Sequence, residues 1–198
     1  MRQLVPRLPK LHMDVVEIDP VVIEAARLHF GVVESNRLRI VAGDGRAFVE
    51  QANERWDLIL LDAFGEDYIP FPLTTAEFFR EVERRLTPGG AVVANFWSTH
   101  RGVLRAQLRT LQEVFPALHV FDGRTSGNVI AVATRDREAW ARERVLARAA
   151  AIEPRLGFRF DFLDAPSRYV PLESYDLAQA PVLVDGRDDV YKALRRSW

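Results

Sequence analysis

Four carboxylates stand where short apolar runs end: Glu17 and Asp19 after "MDVV", Asp44 after "RIVAG", and Asp62 after "WDLILL". At the tip of a strand, a carboxylate can accept hydrogen bonds from both hydroxyls of a ribose or from an exocyclic amino group. It can also orient an amine and help deprotonate it. Glu17 suits the first task and Asp44, one strand over, the second. Asp62 suits the third, because it adjoins the loop "GEDYIPFP" that could close over a substrate. Gly45 lets backbone approach a flat base closely. Taken singly, each acid reads equally well as a helix cap or a solvated turn residue, and Asp19 before Pro20 reads best as an N-cap. The joint occurrence of "VEIDP", "GDGRAF" and "LILLDAF" in this order is more specific than any one of them.

Acids placed this way need strands to carry them. Met13 to Ile18 reads as a strand. Val22, Ile23, Ala26 and Phe30 then recur at helical spacing up to a stop at Gly31. Arg37 to Gly43 reads as a second strand, and Gly45 to Gln51 as a short helix. Trp56 to Phe64 holds a continuous apolar run suited to a strand buried on both faces. A helix capped by Thr74 or Thr75, with Phe78, Phe79, Val82 and Leu86 on one face, ends at "TPGG" and leads into the strand "AVVANF". His100 to Phe115 is helical, "LHVFDG" and "NVIAVAT" read as an antiparallel pair, and Arg135 to Ala151 is an Arg- and Ala-rich helix. Glu153 to Trp198 has weak periodicity. Alternating strands and helices predict a doubly wound, mostly parallel α/β sheet, which binds ligands at the carboxyl ends of its strands. All four acids fall there. The expected division is a nucleoside-binding part at 1–135 and a helical extension and tail at 136–198.

Composition excludes several functions. The 198 residues carry 27 Lys plus Arg against 28 Asp plus Glu, a net charge of −1, so no global basic field draws nucleic acid. There is no cysteine, which removes disulfides, thiol catalysis and cysteine metal sites and fits a cytoplasmic location. No apolar run approaches the ~20 residues of a membrane span. His29 and His100 lack partners at metal-ligand spacing and read as surface or capping residues, so no metal is expected. In the loop after Asp62, Tyr68 and Ile69 are candidates to meet a substrate, and Trp97 either lines a pocket or packs in the core. The basic face of "REAWARERVLARAA" reads as a solvated amphipathic helix rather than a nucleic-acid surface.

The segments "VVEIDPVVIEAARLHF", "VAGDGRAFV", "WDLILLDAF", "PLTTAEFFREVERRLTPGGAVVANF" and "SGNVIAVAT", in order from about Met13 to Thr134, resemble the spermidine synthase family of polyamine aminopropyltransferases. That family shares its fold with S-adenosylmethionine-dependent methyltransferases. The resemblance implies that Glu17, Asp19, Asp44 and Gly45 form the cofactor-binding set. Glu17 would hold the ribose hydroxyls of decarboxylated S-adenosylmethionine, and Asp44 with Gly45 the adenine. Asp62 would be the catalytic carboxylate acting on a small-molecule amine. No metal is implied, because a sulfonium leaving group is already activated.

Three departures bear on the activity. The family's second motif acid is missing in register after Asp62, with Glu66 or Asp67 as substitutes on a different loop path. Arg124 stands where the family has a Tyr at its polyamine site. The family's N-terminal β-rich region has no counterpart. Moreover, no strand and Gly-rich turn precede Val15, as though the chain begins about 20 to 30 residues late on typical element lengths. The alternatives are then a methyltransferase using S-adenosylmethionine, or a non-catalytic remnant. Without that strand, its two neighbours are expected to pair directly or to recruit a strand from the tail or from a second copy as a homodimer. Failing that, they should leave open edges prone to aggregate.

Overall fold

A computed structural model describes residues 7–64, 69–97, 100–123, 127–135, 142–156 and 164–196. Strand β1 (Met13–Glu17) runs parallel to β2 (Leu38–Ala42), in register from Met13↔Leu38 to Glu17↔Ala42. The helix between them, α1 (Pro20–Phe30), starts where Asp19 Oδ1 accepts the Val21 N–H at 2.8 Å. It stops at Gly31, whose φ of 60° is the left-handed conformation that glycine adopts without penalty. Helix α2 (Gly45–Gln51) is capped in the same way by Asp44, which accepts the Ala47 N–H at 2.8 Å. The Asp19 cap and the bounds of α2 are as the sequence predicts, and for Asp44 the capping alternative is realised.

A second sheet has the order β3 (Trp56–Leu61), β4 (Leu86–Trp97), β6 (Asn128–Thr134), β5 (Ala117–Asp122) and β7 (Tyr169–Val170). β3 and β4 are parallel, whereas β4–β6, β5–β6 and β5–β7 are antiparallel. The predicted final antiparallel pair is present, and the architecture is mixed. Helix α3 (Ala76–Arg85), capped by Thr75, buries Phe78, Phe79 and Val82, three positions of one helical face. These pack with Val92, Ala94 and Phe96 of β4 and with Leu104, Leu108 and Leu111 of α4 (Arg101–Val114) to form the main core. "TPGG" does not separate helix from strand as expected. It lies within β4, with Leu86 paired to Trp56. Gly90 permits this path, since a Cβ there would stand 2.9 Å from the Thr87 carbonyl oxygen and 3.2 Å from that of Asp57.

The principal correction concerns sheet continuity. β1 pairs only with β2, and β3 only with β4, so among the described residues neither direct closure nor a recruited strand joins them. A side chain bridges them instead. Trp56 Nε1 donates to Asp14 Oδ2 at 3.2 Å, and Phe48 of α2 packs on the Trp56 ring at 5.8 Å between centroids. The expectation that β3 is buried on both faces also fails, because Leu58 and Leu60 are 56% and 60% exposed. Burial of a strand depends on its neighbours and on the layers that cover it. Among the described residues β3 has one neighbour.

The weakly periodic tail is held by apolar packing, with Leu183 and Tyr191 buried against Val103 and Ala106 and Leu177 in the main core, and by hydrogen bonds. It contains α5 (Arg142–Leu156), the short α6 (Asp164–Ser167), two 3-10 turns at Leu172–Tyr175 and Leu177–Gln179, and α7 (Asp188–Arg196). Leu183 donates its N–H to Thr110 Oγ1 at 2.9 Å and accepts the Ala76 N–H at 2.8 Å. The helix expected from Arg135 is described from Arg142. No described helix is long and apolar enough to cross a membrane.

Candidate active site

The carboxyl ends of β1 and β2 are tied by the Gly43 N–H, which donates to the Glu17 carbonyl at 2.9 Å. In-register parallel pairing therefore sets Glu17 and Asp44 on the same edge of their sheet. Glu17 Oε1 accepts the Asp19 N–H at 2.9 Å, which fixes the carboxylate at the turn. Asp19 is a cap, as its local sequence suggests. Asp44 also spends one oxygen on capping. A Cβ added at Gly43 or Gly45 would meet no protein atom within 4 Å, so the backbone beside Asp44 borders open space that a flat group could approach.

Asp62 directly follows β3, and its side chain is exposed. Asn95 Nδ2 of β4 donates to Asp62 Oδ1 at 2.8 Å, and Asn128 Nδ2 of β6 donates to Asn95 Oδ1 at 2.9 Å. Neither asparagine was singled out in the sequence. The available signal was a polar amide within apolar strand runs, where Asn is disfavoured.

Arg46, next to Gly45, connects this region to the tail. Its Nη1 and Nη2 donate to Asp185 Oδ1 and Oδ2 at 2.8 and 2.6 Å, and Nη1 also donates to the Pro72 carbonyl at 3.0 Å. Nε donates to Glu50 at 2.7 Å. This bidentate bond to Arg46 is the main cause holding the Asp185 carboxyl below its ordinary range, and the same bond raises the Arg46 guanidinium. The clamp joins the N-terminus of α2, the segment after the Asp62 loop, and the turn before α7.

The predicted acids thus fall into two groups. Glu17, Asp19, Asp44 and Gly45 belong to the two-stranded unit, and Asp62 to the five-stranded sheet. Glu66, Asp67, Tyr68 and Arg124 lie outside the described residues. Ile69 does not meet a substrate. It is 2% exposed in the core, and its carbonyl accepts the Tyr191 hydroxyl at 3.0 Å. Trp97, at the end of β4, is 44% exposed and so is not a core residue. No group of three or more potential metal ligands occurs among the described residues.

Strand–helix units that bring acids to the carboxyl ends of parallel strands define a Rossmann-like, methyltransferase-type fold. Human methyltransferase-like protein 13, solved in complex with SAH, superposes with a TM-score of 0.72 at 26% identity, over 80% of this chain and 77% of that one. A probable spermidine synthase from Corynebacterium glutamicum superposes with a TM-score of 0.71 at 27% identity, over 92% of this chain and 66% of that one. The chain belongs to the spermine/spermidine synthase domain family, whose model matches residues 2–121. A polyamine aminopropyltransferase of Vibrio vulnificus is 33% identical over 184 residues, covering 89% of this chain. The chain spans 60% of that relative's length.

Proposed function

We propose that the chain catalyses aminopropyl transfer from decarboxylated S-adenosylmethionine to a small amine. The carrying observation is the Asp62 carboxylate at the end of β3, held by Asn95 beside a loop. In this reading Glu17 accepts the ribose hydroxyls, and Asp44 with the open backbone at Gly45 receives the adenine. Asp19 stays a cap that keeps Glu17 in place. Asp62 binds the protonated amine, orients it and takes up a proton. The amine nitrogen then bonds to the propyl carbon attached to sulfur, that C–S bond breaks, and its electron pair neutralises the sulfonium to a thioether. Positioning and electrostatics supply the acceleration, with no metal. The nucleoside site falls within residues 1–135, with 136–198 as an extension, and the cysteine-free chain suits the cytoplasm.

Incubating the purified chain with decarboxylated S-adenosylmethionine and putrescine should yield the aminopropylated amine by chromatography. A second reading, methyl transfer from S-adenosylmethionine, is favoured by one feature. After Asp62 come Ala63 and Phe64, with no second acid in register to hold a diamine. Methyl incorporation without aminopropyl transfer would establish that reading instead. Calorimetry showing no binding of either nucleoside would overturn both.

A further inference from the structure

We propose that Asn95 and Asn128 are positioning residues, a chain of carboxamides that holds the Asp62 carboxylate in one orientation. The inference rests on the reading of Asp62 as the group that receives the amine. The strand register builds this chain. Leu61 is the partner of Ala94, so the next residue on each strand places Asp62 beside Asn95. Asn95 is the partner of Ile130, so Asn128, two residues earlier on β6, is its diagonal neighbour on the same face. Three adjacent strands thus contribute one polar group each to a single line of hydrogen bonds.

The direction of the bonds is determined by chemistry. An ionised carboxylate only accepts, and a carboxamide has one accepting and one donating end. Asn128 donates to the oxygen of Asn95, which turns the Asn95 amino group toward Asp62. If the Asn95 amide flipped, its oxygen would face a carboxylate oxygen and its amino group would face that of Asn128. Both contacts would be lost and both replaced by repulsion. Asn128 therefore acts on Asp62 without touching it. An exposed aspartate at a strand end would otherwise sample several rotamers. With Oδ1 committed to Asn95, the remaining oxygen keeps one direction, as a near-attack arrangement requires. This restraint comes from the neighbouring strands, through Asn95 and Asn128.

The test uses the full chain labelled with ¹⁵N at asparagine, of which there are four: Asn36, Asn53, Asn95 and Asn128. Asp62→Ala should shift the side-chain amide signals of Asn95 and, less strongly, those of Asn128, leaving Asn36 and Asn53 in place. In an Asn95→Leu background, Asp62→Ala should no longer move Asn128. In the aminopropyl assay, Asn128→Ala should lower kcat about tenfold while KM for the nucleoside substrate stays within twofold, and Asn128→Gln should restore part of the loss. Asn95 signals indifferent to Asp62→Ala, or full kcat in Asn128→Ala, would overturn the proposal. If the unmodified chain transfers no aminopropyl group, the functional reading fails and the spectra alone decide the carboxamide chain.

Discussion

At the scale of single residues, two carboxylates have opposite tasks. Asp62→Asn is nearly isosteric, and its oxygen can still accept from Asn95, so geometry is retained while charge and basicity are lost. Its kcat should fall about 10²-fold or more, with nucleoside affinity by calorimetry unchanged. Turnover within a few-fold of the parent would show that the proton goes elsewhere. Asp185 is structural. Its folded-state pKa is depressed by Arg46, so its contribution is complete above the unfolded value of about 3.9 and is lost as pH falls through the depressed folded value. Asp185→Asn should therefore lower the Tm at pH 7. The gap from the parent should narrow on acidification below about pH 4. An equal gap at pH 7 and pH 3 would show that the charge is not what matters.

Among the elements, β4 is the most constrained. It lies between a parallel and an antiparallel neighbour and supplies Val92, Ala94 and Phe96 to the core. Its entry depends on Gly90, where any Cβ would press on two backbone carbonyls. Gly90→Ala should cost about 1 to 3 kcal/mol of stability by urea unfolding, as overpacking does. A neutral result would mean that the β3–β4 spacing is softer than it looks. The same strand presents Asn95, so the substitution should also lower kcat. This would link an element-level strain to the residue-level site.

For the molecule as a whole, the division into two sheets has thermodynamic consequences. The main core draws mostly on β4, β5, β6, α3 and α4, whereas the β1–β2 unit buries little beyond Ile23, Val32 and Leu38. Amides of β1 and β2 should exchange with deuterium well before those of β4 and β6, since local opening follows buried contact. Uniform protection would contradict this. β3 meanwhile offers a strand edge with Leu58 and Leu60 on one exposed face. Such edges template association. Sedimentation should show concentration-dependent self-association that Leu58→Lys with Leu60→Lys reduces. Unchanged association would place the sticky surface elsewhere, for example on α1, where Val21, Leu28 and Phe30 are exposed.

Features that depend on neighbours along the chain can be read from the residues directly. Asp19 as a cap, Gly31 as a stop, the bounds of α2 and the apolar face of α3 all follow from hydrogen bonds and periodicity within a few residues. Acids at strand ends can be read in the same way, and the ordered motifs carried the family. The β5–β6 pair was also legible, but the fate of β1 and β3 emerges only in the folded chain. The apolar run of β3 reads the same whether it has one neighbour or two, so the exposure of Leu58 and Leu60 was not legible, and of the outcomes the sequence left open for β1 and β3, unjoined strands are the one found among the described residues. The Asn128–Asn95–Asp62 line and the Arg46–Asp185 clamp were hidden for the same reason. Their members stand 33 and 139 positions apart in the chain, and strand register and tail packing, which depend on the whole fold, bring them within hydrogen-bonding distance.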